Sequence, residues 1–570
     1  MYTASSAFVE ALTEAGVAYV FANFGSDHPG LLEAFAEQQA KGGKAPTVLT
    51  CPNEMVALSA AQGFAQATGR PQAVVVHVDC GTQALAGAVH NAAKARVPVM
   101  IFAGAAPYTQ EGELRGSRNE FIHWIQDVFD QRGIVREYAK YSNEIRTGRN
   151  IKQVVHRAFQ FATSAPQGPV YLMAAREVME EEVPRIDVDP AGFKPIAPAA
   201  LAPGDVEAIV AELRAARFPL VVTSYLGRQT EAVNELIRLC RTLAMGVVES
   251  GPTYVNFPSD DPLYLGNRFS EPTQDGALAE ADLVLVLDCD VPWMPIHDRP
   301  RTGAKIIHID SDPLKEQMPL WYIPAQRVYQ ADTAVALSQI NARLASAGVD
   351  RAAVAARLQR CRVHHSKRER ALLEREQPDA AVITPAYLTA RLREHLDADC
   401  IVLNEGITNY TVIHDHLRST LPGSVYRSGG SSLGWGGGAA IGMKLALPEK
   451  TIVSVTGDGS YLFTVPTAVH WMARQYKTPF LQVIYNNRGW RSPKLSMLAV
   501  YPDGYGSRSD NVGVNIEPPP DYAAIAAAAG GAFARTVRQP GDLDDALSQA
   551  LHAVRTEGRS AVLDVWIPHL

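Results

Sequence analysis

The chain has 570 residues, of which 47% are hydrophobic and 20% charged, and carries a net charge of −7. That length exceeds what one hydrophobic core organises and implies several domains, while the negative balance supplies no field for a polyanion, so nucleic acid is not an expected partner. No apolar run reaches the roughly 18 residues of a membrane span, so a soluble protein without a membrane partner is expected.

In chain order, "MYTASSAFVEALTEAG" reads as a Thr/Ser-capped amphipathic helix without the basic and long apolar regions of a secretory signal. Short, almost wholly apolar runs follow at 17–24, 46–50, 73–77 and 98–104, with helical segments between them. Such runs suit parallel strands buried on both faces. A proline-rich stretch at 180–206 lacks helical periodicity and reads as a linker. The strand pattern returns at 219–224, 281–290 and 305–312, then a basic run, "VHHSKRER" (363–370), is expected to be a solvated helix face, with His364 and His365 exposed. A second linker is expected around 373–385, and a third group of strands at 400–406, 451–459, 480–487 and 561–567. The expected fold is three parallel-sheet α/β domains, spanning 1–185, 195–345 and 375–570, with the first and third as candidate structural relatives. Six cysteines (51, 80, 240, 289, 361 and 400) show no paired spacing, which argues against a disulfide framework or zinc site and favours a reduced, cytoplasmic setting.

The most informative stretch is "GDGSYLFTVPTAVHWMARQYKTPFLQVIYNN" (457–487). It reads as strand end, helix with Pro466 near its first turn, and next strand, so a right-handed crossover brings Asp458 and Asn486–Asn487 to one carboxyl edge of a parallel sheet. A carboxylate and an amide oxygen there, with Gly457, Gly459 and Ser460 supplying main-chain and hydroxyl contacts, suit a hard divalent cation carrying a diphosphate. The plainer alternative is a strand-ending turn with no ligand.

This spacing of Gly-Asp-Gly and Asn-Asn resembles the signature of the thiamine diphosphate-dependent enzymes of the acetolactate synthase, benzoylformate decarboxylase and benzaldehyde lyase type. The resemblance spans the whole chain and implies pyrimidine-binding, middle and diphosphate-binding domains. It implies thiamine diphosphate and Mg2+ as cofactors, with Asp458, the Asn487 side chain and the Gly489 carbonyl on the metal. "GGSSLGWGGGAAIG" (429–442) resembles the stretch that precedes the signature, with Ser431, Ser432 and a wedging Leu433 at the cofactor, and "NEGIT" resembles a diphosphate loop that brings in Gly406, Ile407 and Thr408. Trp490 is expected to line the site, or simply the core.

In such enzymes one carboxyl group beside the aminopyrimidine ring assists proton removal from the thiazolium, and reaction runs through a C2-adduct and its enamine. "CPNEM" places Glu54 in that role, at the start of a helix where an acid also suits the dipole. "VFANFGSDHPGLL" resembles the benzoylformate decarboxylase loop whose serine contacts substrate, here Ser26. His28 resembles benzaldehyde lyase's loop histidine at a one-residue offset, and Asp27 is expected to cap the next helix. "HVDCGT" resembles the H-x-x-x-G-T segment of benzoylformate decarboxylase, which puts His77 at a catalytic histidine, and Gln126 matches a glutamine that faces the cofactor in relatives. His297 is a weaker candidate from the middle domain.

The resemblance implies an active homodimer at minimum, with a homotetramer expected, because Glu54 and the metal site come from different subunits. The substrate is expected to be a 2-oxo acid, aldehyde or hydroxyketone. The segment after Asn487 does not match acetolactate synthase's specificity loop, so FAD use is not expected. The alternatives are a 2-hydroxyacyl-CoA lyase or oxalyl-CoA decarboxylase type enzyme, and a regulatory paralogue that keeps only the fold.

Overall fold

The computed structural model describes residues 2–268, 276–509 and 512–569. Three six-stranded, wholly parallel sheets organise them. The first comprises β1 (Tyr19–Asn23), β2 (Thr47–Thr50), β3 (Ala73–Val76), β4 (Met100–Ala105), β5 (Tyr141–Glu144) and β6 (Val170–Ala175), in the order β2-β1-β3-β4-β6-β5. The middle sheet comprises β7 (Pro219–Thr223), β8 (Gly246–Ser250), β9 (Tyr264–Arg268), β10 (Leu283–Leu287), β11 (Lys305–Asp310) and β12 (Arg327–Gln330), ordered β12-β11-β10-β7-β8-β9. The third comprises β13 (Cys400–Glu405), β14 (Val425–Tyr426), β15 (Thr451–Gly457), β16 (Leu481–Asn486), β17 (Phe533–Val537) and β18 (Ala561–Trp566), ordered β14-β13-β15-β16-β18-β17.

The first and third sheets thus share one strand order, while the middle sheet has the doubly wound order of nucleotide-binding folds. In the shared order, the chain reverses its direction of winding between β1 and β3, and again between β13 and β15. Open α/β sheets take ligands at that crevice, beyond the carboxyl ends of the strands.

Local chemistry explains the elements. Thr3 and Ser6 form a reciprocal cap on the Ala4–Glu14 helix, and Asn53 caps the Glu54–Thr68 helix by accepting from the Val56 N–H. The Glu54–Thr68 and Trp435–Ala446 helices cross at backbone contact. A Cβ on Gly442 would lie 1.8 Å from the Ala60 carbonyl oxygen, and one on Gly63 2.4 Å from that of Ala439. One apolar cluster, including Val56, Ala60, Ala439, Met443 and Val469, therefore belongs to the first and third units together.

The Arg351–Arg375 helix keeps part of its basic run in solvent, with Lys367 and Arg370 exposed, and corrects the rest of the expectation. Arg368 bonds to Asp415 at 2.6 Å and lies over Tyr264, Arg360 pairs with Glu280, and His365 Nδ1 is 2.9 Å from the Tyr264 carbonyl. His364 and His365 are half-buried rather than exposed, because the helix docks on the middle unit. Among the described residues, no helix is long and apolar enough to cross a membrane.

Candidate active site

Asp458 and Asn487 leave neighbouring strands β15 and β16 and meet. The Gly489 N–H is 3.0 Å from Asp458 Oδ2 and 3.1 Å from Asn487 Oδ1, and the Gly459 N–H donates to Asp458 Oδ1. The preceding Asn486 is already engaged, since its Nδ2 donates to Asp564 at 2.8 Å. Of the two asparagines, Asn487 therefore carries the amide oxygen that stands beside Asp458. Burial raises the Asp458 pKa to about 6 against the pull of these N–H groups, so a cation here would relieve an unfavourable buried charge.

The surroundings fit a bound diphosphate as well. Among the described residues a Cβ on Gly457 would meet only Ser460 Oγ, at 4.0 Å, so they leave that face open. Gly459 is different: its missing Cβ is where the Trp490 ring packs, and Trp490 in turn meets Phe463 edge-on. Ser460 is buried in the short Asp458–Phe463 helix. Gly406 follows β13 across the crevice, its N–H bonded to Asn404 Oδ1, and the half-buried Ile407 and Thr408 come next, with Ile407 at φ 53°.

Ser431, Ser432 and Leu433 form a partly exposed loop pinned by the first unit. Ser431 N–H donates to His90 Nε2 at 3.1 Å, while Ser432 exchanges two backbone bonds with the Asn91 amide. The loop leads into the Trp435–Ala446 helix, whose first three N–H groups (Gly434, Trp435 and Gly436) all donate to Glu405. Burial holds the Glu405 pKa up at about 7 despite those bonds.

On the first sheet, Glu54 is buried at the start of its helix, with Oε1 accepting from Asn23 Nδ2 at 2.8 Å. His77, just beyond β3, puts Nε2 3.9 Å from the same oxygen. Ser26 Oγ is 3.2 Å from His123 Nε2, and His123 is also 3.3 Å from Arg176 Nη1. Gln126 is buried, and its Nε2 has no hydrogen-bond partner among the described residues.

One expectation about the Ser26 loop needs correction. Asp27 does not cap the following helix, whose N-cap is His28 without a side-chain bond. Instead Asp27 turns inward, accepts from the Val78 N–H at 3.2 Å and fills the space left by Gly104, where a Cβ would sit 1.5 Å from Asp27 Oδ2. His28 is buried beside it, with Nε2 3.4 Å from Asp27 Oδ2 and its pKa lowered by that burial. Glu54, His77 and Ser26 are thus gathered at the switch point, while His28 faces the interior. His297 is exposed in the loop after β10 and makes no side-chain hydrogen bond among the described residues.

Three family models match the chain in order: the thiamine pyrophosphate enzyme N-terminal domain over 2–134, its central domain over 206–320, and its C-terminal domain over 406–565. The chain belongs to the thiamine pyrophosphate enzymes. It is 24% identical to an acetolactate synthase of Bacillus subtilis over 86% of this chain and 83% of that one. It is 25% identical to a benzoylformate decarboxylase of Pseudomonas aeruginosa, over 85% and 86% respectively. In fold it is similar to a thiamine diphosphate-dependent 4-hydroxybenzoylformate decarboxylase of Rhodococcus jostii, with a TM-score of 0.77, 22% identity, and 100% and 99% of the two chains covered.

Within this thiamine pyrophosphate enzyme, Asn23, Glu405, His123 and Arg176 escaped reading from the sequence. Each is ordinary in its own segment and gains meaning from a partner far along the chain. The available signal was position: Asn23 and Glu405 end buried strands at the ligand edge, where a polar residue otherwise lacks a reason.

Proposed function

We propose that the protein is a thiamine diphosphate- and Mg2+-dependent lyase or carboligase that makes or breaks a C–C bond beside a carbonyl, acting on 2-oxo acids, aldehydes or 2-hydroxy ketones. The observation that carries this reading is the convergence of Asp458 and Asn487 on one Gly489 N–H, beside the open face of Gly457. Mg2+ would take Asp458, the Asn487 side chain and the Gly489 carbonyl as protein ligands, a set rich in hard oxygen donors. Thiamine diphosphate, when bound, supplies a carbon nucleophile that also accepts the electron pair of the cleaved bond.

The chain's own groups then have distinct tasks. Glu54, fixed by Asn23, exchanges a proton with the pyrimidine ring. His77 moves protons to and from the substrate oxygen at Nε2. Ser26 hydrogen-bonds the substrate, and the unpartnered Gln126 Nε2 donates to the cofactor. The family resemblance draws Glu54 and the metal loop from different protomers, so at least a homodimer is required. Exposed Phe121 and Phe129 support such an interface. Six free cysteines are consistent with a reducing compartment, the cytoplasm.

Incubation with thiamine diphosphate, Mg2+ and pyruvate, benzoylformate or benzoin, followed by product identification, tests the reading. At least one of the three is expected to turn over. Glu54→Gln is expected to lower kcat by at least about 100-fold, the lower range for a lost acid–base group, while circular dichroism stays unchanged. Full activity in that variant would reject the assignment of Glu54.

A further inference from the structure

The guanidinium of Arg176 stands at the carboxyl edge of the first sheet with no counter-ion among the described residues. The residue is 9% exposed. It follows directly on β6, and among the described residues its only side-chain hydrogen bonds run from Nη1, to Asn119 Oδ1 at 2.8 Å and toward His123 Nε2 at 3.3 Å. Its Nε is buried and unbonded. No carboxylate among the described residues lies within 4.0 Å of it. The acids nearby make other contacts: Glu177 Oε1 accepts from the Thr109 N–H and hydroxyl, Glu180 pairs with Arg115, and Asp27 Oδ2 holds His28 and the Val78 N–H, while among the described residues Glu177 Oε2 and Asp27 Oδ1 are unbonded and more than 4.0 Å from the guanidinium.

A buried charge without a partner is strongly unfavourable, and a guanidinium presents a planar fork that matches carboxylate and sulfonate oxygens. Placement adds the rest. His123 joins Arg176 directly to Ser26, so the guanidinium lies at the same edge as the proposed substrate groups. In the strand order, β6 lies two places beyond β3, the strand that carries His77; at about 4.8 Å per strand, that is roughly 10 Å along the edge.

Resting on the functional reading above, we propose that Arg176 binds a second anionic group, a carboxylate or sulfonate, which the substrate carries remote from its reacting carbonyl. Arg176 is then a specificity-determining residue, and Asn119 and His123 hold it in position.

Three ligands that share a carboxylate and three methylenes, and differ only at the far end, test this without turnover: glutarate, 4-sulfobutanoate and pentanoate. They are titrated by calorimetry into the protein after its uptake of thiamine diphosphate and Mg2+ has been measured. Glutarate, 4-sulfobutanoate or both are expected to bind at least tenfold more tightly than pentanoate, and the tighter of the two identifies the anion. Arg176→Met is expected to bring all three to the pentanoate level, and Arg176→Lys to restore part of the difference. Equal binding of the three by the unmodified protein, or no binding of any, overturns the proposal whether or not the variants fold. An equal loss for all three in Arg176→Met would leave Arg176 a merely structural residue and also overturns it. Absent cofactor uptake instead rejects the functional reading itself, so the two failures are told apart.

Discussion

Gly457 and Gly104 are glycines for opposite reasons. At Gly104 the protein itself occupies the space, since Asp27 Oδ2 lies 1.5 Å from where a Cβ would be. At Gly457 no described residue does, and its φ of −79° and ψ of 160° are open to any residue. Gly457→Ala is therefore expected to leave the Tm of cofactor-free protein unchanged or slightly raised, because alanine restricts the unfolded chain. It is expected to weaken thiamine diphosphate binding at least tenfold, because the methyl enters the ligand's space. Thermal melts and calorimetric titration check the pair, and an unaltered affinity would contradict a diphosphate at that face. The same contrast explains what could be read at this scale. Asp458 and Asn487 were legible because both end strands within one local crossover. Asn23, His123 and Arg176 were not, because each acts through a residue on a different loop or helix far along the chain. The inward turn of Asp27 depends on the absent side chain of Gly104, which no local pattern announces.

Among the elements, the Pro466–Gln475 helix carries a measurable pH dependence. His470 is buried, stacked on Phe480, with Nε2 3.2 Å from Tyr461 Oη, and burial lowers its pKa to about 4. Between pH 6.5 and 4 the unfolded chain therefore binds a proton at this position that the native state does not. Stability is expected to fall as pH drops through that window, by about 3 kcal/mol in all, and to level off below it. His470→Phe is expected to flatten that portion of the curve in denaturant titrations at pH 7 and 4.5, and an unchanged slope would contradict the assignment. At this scale a near-continuous apolar run was the legible signal. The expected strands at β3, β4, β7, β10, β13, β15 and β16 are almost wholly apolar and were visible as such. β5, β9, β12, β14 and β17 lie at sheet edges, and β5, β12 and β17 show alternating or partial burial that blurs the apolar signal. The interior β6 and β8 were missed despite near-complete burial, although Pro166, Gly168 and Pro169 mark a break before β6.

At the scale of the whole molecule, the two sheets with the same strand order each present a switch point, one lined by Ser26 and His77 and the other by Gly406 and Asp458. The repetition was anticipated only as a possible kinship of the first and third units, because strand order is set by long-range pairing that a single sequence does not display. The chain also leaves Phe121 80%, Phe129 112% and Tyr505 97% exposed, which suits burial against a second copy. Sedimentation at micromolar concentration is expected to show a dimer or larger species. Phe129→Asp is expected to shift it toward monomer with loss of turnover, and a fully active monomer would contradict a shared site. The most direct measurement is titration of the purified protein with thiamine diphosphate in the presence of Mg2+ and, separately, of a chelator. Saturable binding of one cofactor per chain that the chelator abolishes is the predicted result; no binding with metal in excess, or binding indifferent to the chelator, would contradict it.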